Sequence, residues 1–148
     1  MMIIIRLQRT ETKNGDILSG YELMEEYIDA IKKHGYTYFG MDTAIDEIKL
    51  KKQLEVHKTL EIGFVFGLQA DGTNDIEYTA TVLDVEHYTV PHYKKEMPDC
   101  FDEGNKSLFK IKGLKKNHID SSTKSIITNG NNLKASLNNG RCSYIFVE

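Results

Sequence analysis

Tryptophan is absent from this chain, and cysteine and proline are scarce, with two of each. Two prolines and eleven glycines in 148 residues exclude a proline-rich or glycine-rich low-complexity tract and a collagen-like repeat. The two thiols, Cys100 and Cys142, lie far apart in a chain without a secretory pattern, so free reduced cysteines are expected in place of a disulfide framework. No apolar run reaches the roughly 18 to 20 residues that a bilayer span needs. Met1 to Leu7 is too short, and lacks a basic flank before it, to serve as a signal-peptide core. A cytoplasmic location without membrane association is the expectation.

Catalytic signatures are missing as well. There is no phosphate-cradling glycine loop of the Walker or dinucleotide type and no serine in a nucleophile elbow. His87, His92, Cys100 and Cys142 form the pool of soft metal ligands, and their spacing matches no recurrent zinc pattern. Pro98-Asp99 could open a Mg²⁺-dependent nuclease motif, but its acid-x-lysine partner, Glu47-Ile48-Lys49, comes earlier and falls in an expected helix. Cys100 stands beside Asp99, Asp102 and Glu103, which should raise its pKa and disfavour the nucleophilic thiolate. A non-enzyme without a cofactor is therefore expected, an undetected small enzyme being the weaker alternative.

What the chain does contain suits one α+β domain spanning residues 1–148: 40% apolar residues, 28% charged residues of mixed sign, and a length that supports one core. The net charge of −3 conceals a division along the chain. Residues 1–103 carry 11 basic and 20 acidic side chains, whereas residues 104–148 carry 8 basic and 2 acidic ones. Clustered cations of this kind favour an anionic partner, because they release the counterions condensed on phosphate.

Hydrophobic periodicity places the elements. Met2 to Leu7 reads as an inner strand with apolar residues on both faces. Thr10 to Gly15 reads as a loop, and Ser19 with Glu22 has capping-box spacing for a helix starting near Gly20 and stopped by Gly35. Tyr36 to Met41 is a short aromatic strand, and a second helix is expected from the Thr43/Asp46 region to about Val56. Leu60, Ile62, Phe64, Phe66 and Leu68 alternate as a core-facing strand, with Gly63 and Gly67 opposite suggesting a bend or close backbone approach. A hairpin loop at Asp71 to Asp75 leads into a bulged strand from Ile76 to Val90. Leu108 to Leu114 and Ser143 to Val147 read as strands, and a short helix fits near Leu133 to Leu137. The expected architecture is a curved, mostly antiparallel sheet or small β-barrel flanked by two helices.

Two stretches combine aromatic faces with cations. His87, Tyr88, Val90, His92, Tyr93, Lys94 and Lys95 leave a strand for a loop, a pairing that can stack a base and hold its phosphate. Lys110 and Lys112 alternate on a strand and continue into Lys115, Lys116 and His118, a stripe able to follow a phosphate backbone. Tyrosines at strand ends also pack with their hydroxyls in water, and that ordinary role competes.

The order Tyr36-Thr37-Tyr38-Phe39-Gly40, a helix, the strand from Ile62 to Leu68, its partner ending Val82-Leu83-Asp84-Val85, and later Ser107-Leu108-Phe109-Lys110-Ile111 resembles the PUA-like superfamily. The likeness is to EVE-type domains and to the N-terminal recognition modules of McrB-like modification-dependent restriction systems, over roughly residues 36–116. The resemblance implies an aromatic pocket for a flipped, modified base, with Tyr38, Phe39, Tyr88 and Tyr93 as wall candidates in the absence of tryptophan. Lys94, Lys95, Lys110, Lys112, Lys115 and Lys116 are the phosphate candidates. It implies a non-enzymatic specificity module for DNA in a restriction or defence system, acting beside a separate nuclease or motor subunit. A protein-interaction or adaptor domain with a basic edge is the alternative.

Overall fold

A computed structural model describes residues 1–7, 9–57, 60–66, 74–139 and 144–148. In chain order the elements are β1 (Met2–Arg6), β2 (Thr10–Glu11), β3 (Ile17–Leu18), α1 (Gly20–His34), β4 (Thr37–Met41), α2 (Glu47–His57), β5 (Leu60–Val65), β6 (Ile76–His92), β7 (Asn105–Ile119), a 3-10 turn (Ser121–Thr123), α3 (Leu133–Asn139) and β8 (Tyr144–Val147). Six strands form one sheet in the order β4-β7-β6-β5-β1-β8. Its neighbours are antiparallel except β1 and β5, which run parallel with Ile3 beside Ile62. The class is thus α+β with a mostly antiparallel sheet. Among the described residues no helix is long and apolar enough to cross a membrane.

Helix α1 forms as its sequence predicts. The Ser19 hydroxyl accepts the Glu22 amide at 3.2 Å, and the Glu22 carboxylate accepts the Ser19 amide at the same distance, so two orphan donors are satisfied at once. Gly35 ends the helix at φ 83° and donates its amide to the Ile31 carbonyl. That left-handed conformation strains any residue with a Cβ. Leu23, Met24, Tyr27 and Ala30 recur at helical spacing and are buried. Helix α2 starts where Asp46 accepts the Lys49 amide, and Leu50 is the residue it buries.

Two cores lie on opposite faces of the sheet. On the inner face Ile3, Ile5, Ile62, Phe64, Tyr78, Val82, Phe109 and Ile111 pack beneath α1 and Leu50 of α2. Leu60, Ile62, Phe64 and Phe66 all join this core as their alternation predicts, while Leu68, Gly67 and residues 71–73 lie outside the described residues. On the outer face Met2, Ile4, Val65, Ile76, Ile145 and Val147 pack beneath Ile126, Leu133 and Leu137. This second core covers the β5-β1-β8 end of the sheet, with Ile76 of β6 and Ile119 of β7 at its border. Continuous apolar character in β1 follows directly, since that strand is buried on both sides.

The barrel alternative is not formed: among the described residues the sheet stays open. β1 is already paired on both edges, and the outer edge of β8 is closed by Ser125 to Ile127, whose backbone bonds reach Phe146 and Glu148. β4 is left as a free edge. At Gly63 the packing is close, since a Cβ there would lie 2.8 Å from the Met2 sulfur and 3.0 Å from Ile4 Cδ1, and the β5–β6 register shifts just beyond it, between Phe64 and Val65. Across the inner face the Phe39 and Phe64 ring centroids lie 5.0 Å apart, so β4 and β5 share one core although two strands separate them in the sheet. β7 runs well beyond the expected Leu108–Leu114, and the expected loop from Thr10 to Gly15 opens with strand β2 of the small β2–β3 hairpin.

A polar clamp holds the C-terminal segment to the sheet. Lys134 of α3 sits 3.0 Å from Asp75 and 3.3 Å from Asp120. The Asp120 carboxylate also accepts the Ser122 hydroxyl at 2.7 Å and the Ser122 amide at 2.9 Å. The Ser122 bonds, with Lys134 beside them, hold Asp120 down from the usual 3.8 to about 2. A depressed carboxyl contributes stability that is complete above its unfolded pKa and is lost as pH falls through the folded one. The stability difference between the native protein and Asp120→Asn should therefore be constant above pH 3.8 and close as pH falls to about 2. Urea denaturation across that range is the check, and a difference that does not change with pH would remove the clamp.

Candidate functional site

Strand alternation divides the β4 aromatics between the two faces of the sheet. Tyr38 stands opposite Lys110, which in turn pairs with Asp84, and all three share the outer face at the end that the second core leaves uncovered. Phe39 stands opposite Phe109 and points inward, 5% exposed, against Phe64 and Tyr27. Period-2 geometry makes this unavoidable for adjacent strand residues.

On the outer face the aromatics and cations interlock. The Lys110 ammonium lies 4.3 Å from the Tyr36 ring centroid, and Lys94 lies 5.3 Å from that of Tyr38. Tyr36 and Tyr38 meet edge to face at 6.0 Å. Glu86 pairs with Lys94 at 3.4 Å, and the Tyr36 hydroxyl donates to Glu96 at 3.2 Å. The turn carrying Lys94 is pinned against β4 by the Thr37 hydroxyl, which donates to the Glu96 carbonyl at 2.6 Å, and by the Met97 amide bonded to the Lys94 carbonyl. Tyr88 stacks on His92 with centroids 3.6 Å apart and planes at 18°.

The charges of this cluster follow from the same contacts. Burial raises the pKa of Tyr38, and Lys94 opposes it. Burial and then the Glu86 carboxylate raise Tyr88. Burial works against the charge on Lys94, but Glu86 and Tyr88 outweigh it and the ammonium is held more firmly protonated. Both tyrosines are neutral donors and Lys94 is a fixed cation at physiological pH.

The remaining candidates are scattered. Tyr93 is 48% exposed, and Lys95 is exposed in the turn after it. Lys112 and Lys115 pair with Thr81 and Thr79 and extend the outer-face row begun by Lys110. Lys116 pairs with Tyr78, an inner-core residue, and so leaves that row. The expectation of one pocket walled by Tyr38, Phe39, Tyr88 and Tyr93 is corrected accordingly. Phe39 is on the opposite face, and the continuous lysine stripe is reduced by Lys116 because its bulged strand turns that residue over. Tyr36, Glu86 and Glu96 complete the cluster without having been singled out from the sequence, although spacing of two from Tyr38 and Tyr88 marks the first two of them.

Other chemistry is weakly supported. His87 Nδ1 lies 2.8 Å from the Ser107 hydroxyl, which donates to the Thr43 carbonyl at 2.7 Å. The serine proton is committed to a carbonyl, so His87 must donate and is not placed as its base. Cys100 is pushed up to about 11 by burial and the nearby Glu26 carboxylate, and Cys142 lies outside the described residues. Among the described residues no group of His, Cys, Asp and Glu is arranged to hold a metal ion.

A cavity of about 730 Å³ opens at the seam between the free edge of β4 and the end of β1. Tyr27, Phe39 and Phe101 line it, with centroid distances of 5.4 Å and 6.5 Å from Tyr27 to the other two rings. Glu11, Asp42 and Glu103 also line it. Gly40 forms part of the wall, where a Cβ would meet the Asn105 side chain at 2.1 Å. Set against protein-family models, curated proteins and solved structures, the chain matches none.

The two faces of β4 should separate in stability. Phe39→Ala should cost about 3 to 5 kcal/mol, as for other buried aromatic truncations. Tyr38→Ala should cost about 1 kcal/mol or less, as for substitutions near a surface. Chemical denaturation of both variants checks this, and equal losses would refute the division.

Proposed function

We propose that the protein is a nucleic-acid recognition domain that receives an unstacked base on the outer face of its sheet, at the Tyr36–Tyr38–Tyr88 cluster, with Lys94, Lys110, Lys112 and Lys115 meeting the phosphates. One observation carries this reading: two ammonium groups are already seated on two adjacent tyrosine rings of an uncovered sheet face. A base stacking on such rings gains roughly 1 to 3 kcal/mol, and the lysines lie within reach of its phosphates. A modified base is the favoured ligand in this reading, since a weakened or altered base leaves a duplex at lower cost. A PUA-like ancestry, DNA as the nucleic acid, and a separate nuclease or motor partner belong to the same proposal.

The test is fluorescence anisotropy with a single strand, an unmodified duplex and a duplex carrying one modified base, over a range of salt. Neutralising Lys110, Lys112 and Lys115 together should reduce the slope of log affinity against log salt by roughly 2 to 3. Tyr38→Ala should weaken binding about ten- to a hundredfold while lowering the melting temperature by no more than about 5 °C. Glu86→Gln should strengthen binding, because it releases Lys94 from its carboxylate. Equal affinity for the modified and unmodified duplexes would overturn the modified-base claim, and binding without salt dependence would overturn the nucleic-acid reading and favour an adaptor role.

A further inference from the structure

The seam cavity is chemically opposite to the outer face. Its volume of about 730 Å³ lies within the range of small-molecule sites, roughly 300 to 1,000 Å³. Its apolar lining is aromatic, supplied by Tyr27 of α1, Phe39 of β4 and Phe101 of the loop after β6. These three come from separate elements; Tyr27 is in ring contact with each of the other two, and Phe101 is the most exposed of them. The carboxylates come equally from three places: Glu11 in β2, Asp42 after β4, and Glu103 before β7. Among the described residues Arg6 is the single cation in the lining, and its guanidinium donates to the Leu137 carbonyl of α3. Asn105 also lines the cavity and donates to Asp42 at 3.4 Å, which steadies that carboxylate beside the Gly40 wall.

Aromatic faces and carboxylates around one space attract the same class of ligand. The ring quadrupole presents its negative face to a cation, and a desolvated cation gains more from it than one in water. Anionic ligands, phosphates included, are repelled by the three carboxylates. We propose that the seam cavity is a binding site for an organic cation: an alkylammonium group seated on Tyr27, Phe39 and Phe101 and neutralised by Asp42, Glu103 and Glu11. That chemistry is offered both by a free amine and by a lysine side chain of another protein. The site does not depend on the nucleic-acid reading, because it uses the other face of the sheet.

The experiment is isothermal titration calorimetry of the full chain with choline, with its uncharged isostere 3,3-dimethylbutan-1-ol, and with a capped pentapeptide carrying trimethyllysine or norleucine at its centre. Choline or the trimethyllysine peptide should bind with a dissociation constant below about 1 mM, and the uncharged counterpart should bind at least about tenfold more weakly. Asp42→Asn with Glu103→Gln should weaken the cation by about tenfold or more while the melting temperature stays unchanged, since both side chains are exposed. Tyr38→Ala should leave it unaffected. Binding of choline alone assigns a free amine, and binding of the peptide alone assigns a protein side chain. Absence of binding by both, equal binding of the uncharged isosteres, or indifference to the double variant would each overturn the proposal.

Discussion

The parallel pairing of β1 with β5 is the constraint on which the rest of the structure depends. Antiparallel neighbours can be joined by a tight turn, but a parallel pair requires the chain to leave one end of the sheet and return to the other. Everything between Arg6 and Leu60 serves that crossover: the β2–β3 hairpin, α1, β4 and α2. α1 and Leu50 of α2 meet the sheet on its inner face, which is how Ile3, Ile62 and Phe64 become buried. β4 lies on the same excursion and finds the edges of β5 taken by β1 and β6, so it pairs instead with β7 at the far side of the sheet. A seam between β4 and β1 follows, and with it the cavity.

The unequal covering of the outer face has the same origin. β1 and β8 lie together at one end, and there the C-terminal segment folds back so that Ile126, Leu133 and Leu137 cover Met2, Ile4 and Val147. That core does not reach β4, and of β7 only Ile119, at its end, packs against it. Toward the opposite end of this face Tyr38 and Lys110 are half-buried and Lys112 is exposed. The same sheet face thus reads as a core at one end and as a tyrosine–lysine surface at the other.

How much of this was legible in the sequence depends on how local each cause is. The capping box at Ser19, the stop at Gly35 and the alternation from Leu60 to Phe66 depend on neighbours within a few residues, and each is found where periodicity places it. The inner position of β1 was readable because both of its faces are apolar. Its parallel partner was not, since pairing direction leaves no mark on one strand. The extension of β7 to Ile119 runs through lysines and an asparagine that are poor strand formers, and it exists because β6 pairs with them. For the site, Tyr38, Tyr88, Lys94 and Lys110 were identifiable as aromatic and cationic neighbours. Separating Tyr38 from Phe39 needed only the strand period, but the meeting of Glu11, Asp42 and Glu103 required the topology.

Electrostatics links the two surfaces. The chain's later, basic part supplies Lys110, Lys112 and Lys115 through β7, while its earlier, acidic part supplies the cavity carboxylates and Glu86. Glu86 and Glu96 beside the tyrosines oppose an anionic ligand, which would have to displace the part-buried Glu86–Lys94 pair. A phosphate that replaced Glu86 at Lys94 would exchange one charge pair for another and would find the ammonium already positioned over Tyr38. Among the described residues the cavity carboxylates share their lining with one cation, Arg6, which donates to the Leu137 carbonyl. Their negative charge would repel a phosphate at the seam. The two faces of the sheet thus differ in the charge they present, and β4 contributes to both, Tyr38 to the outer and Phe39 to the inner.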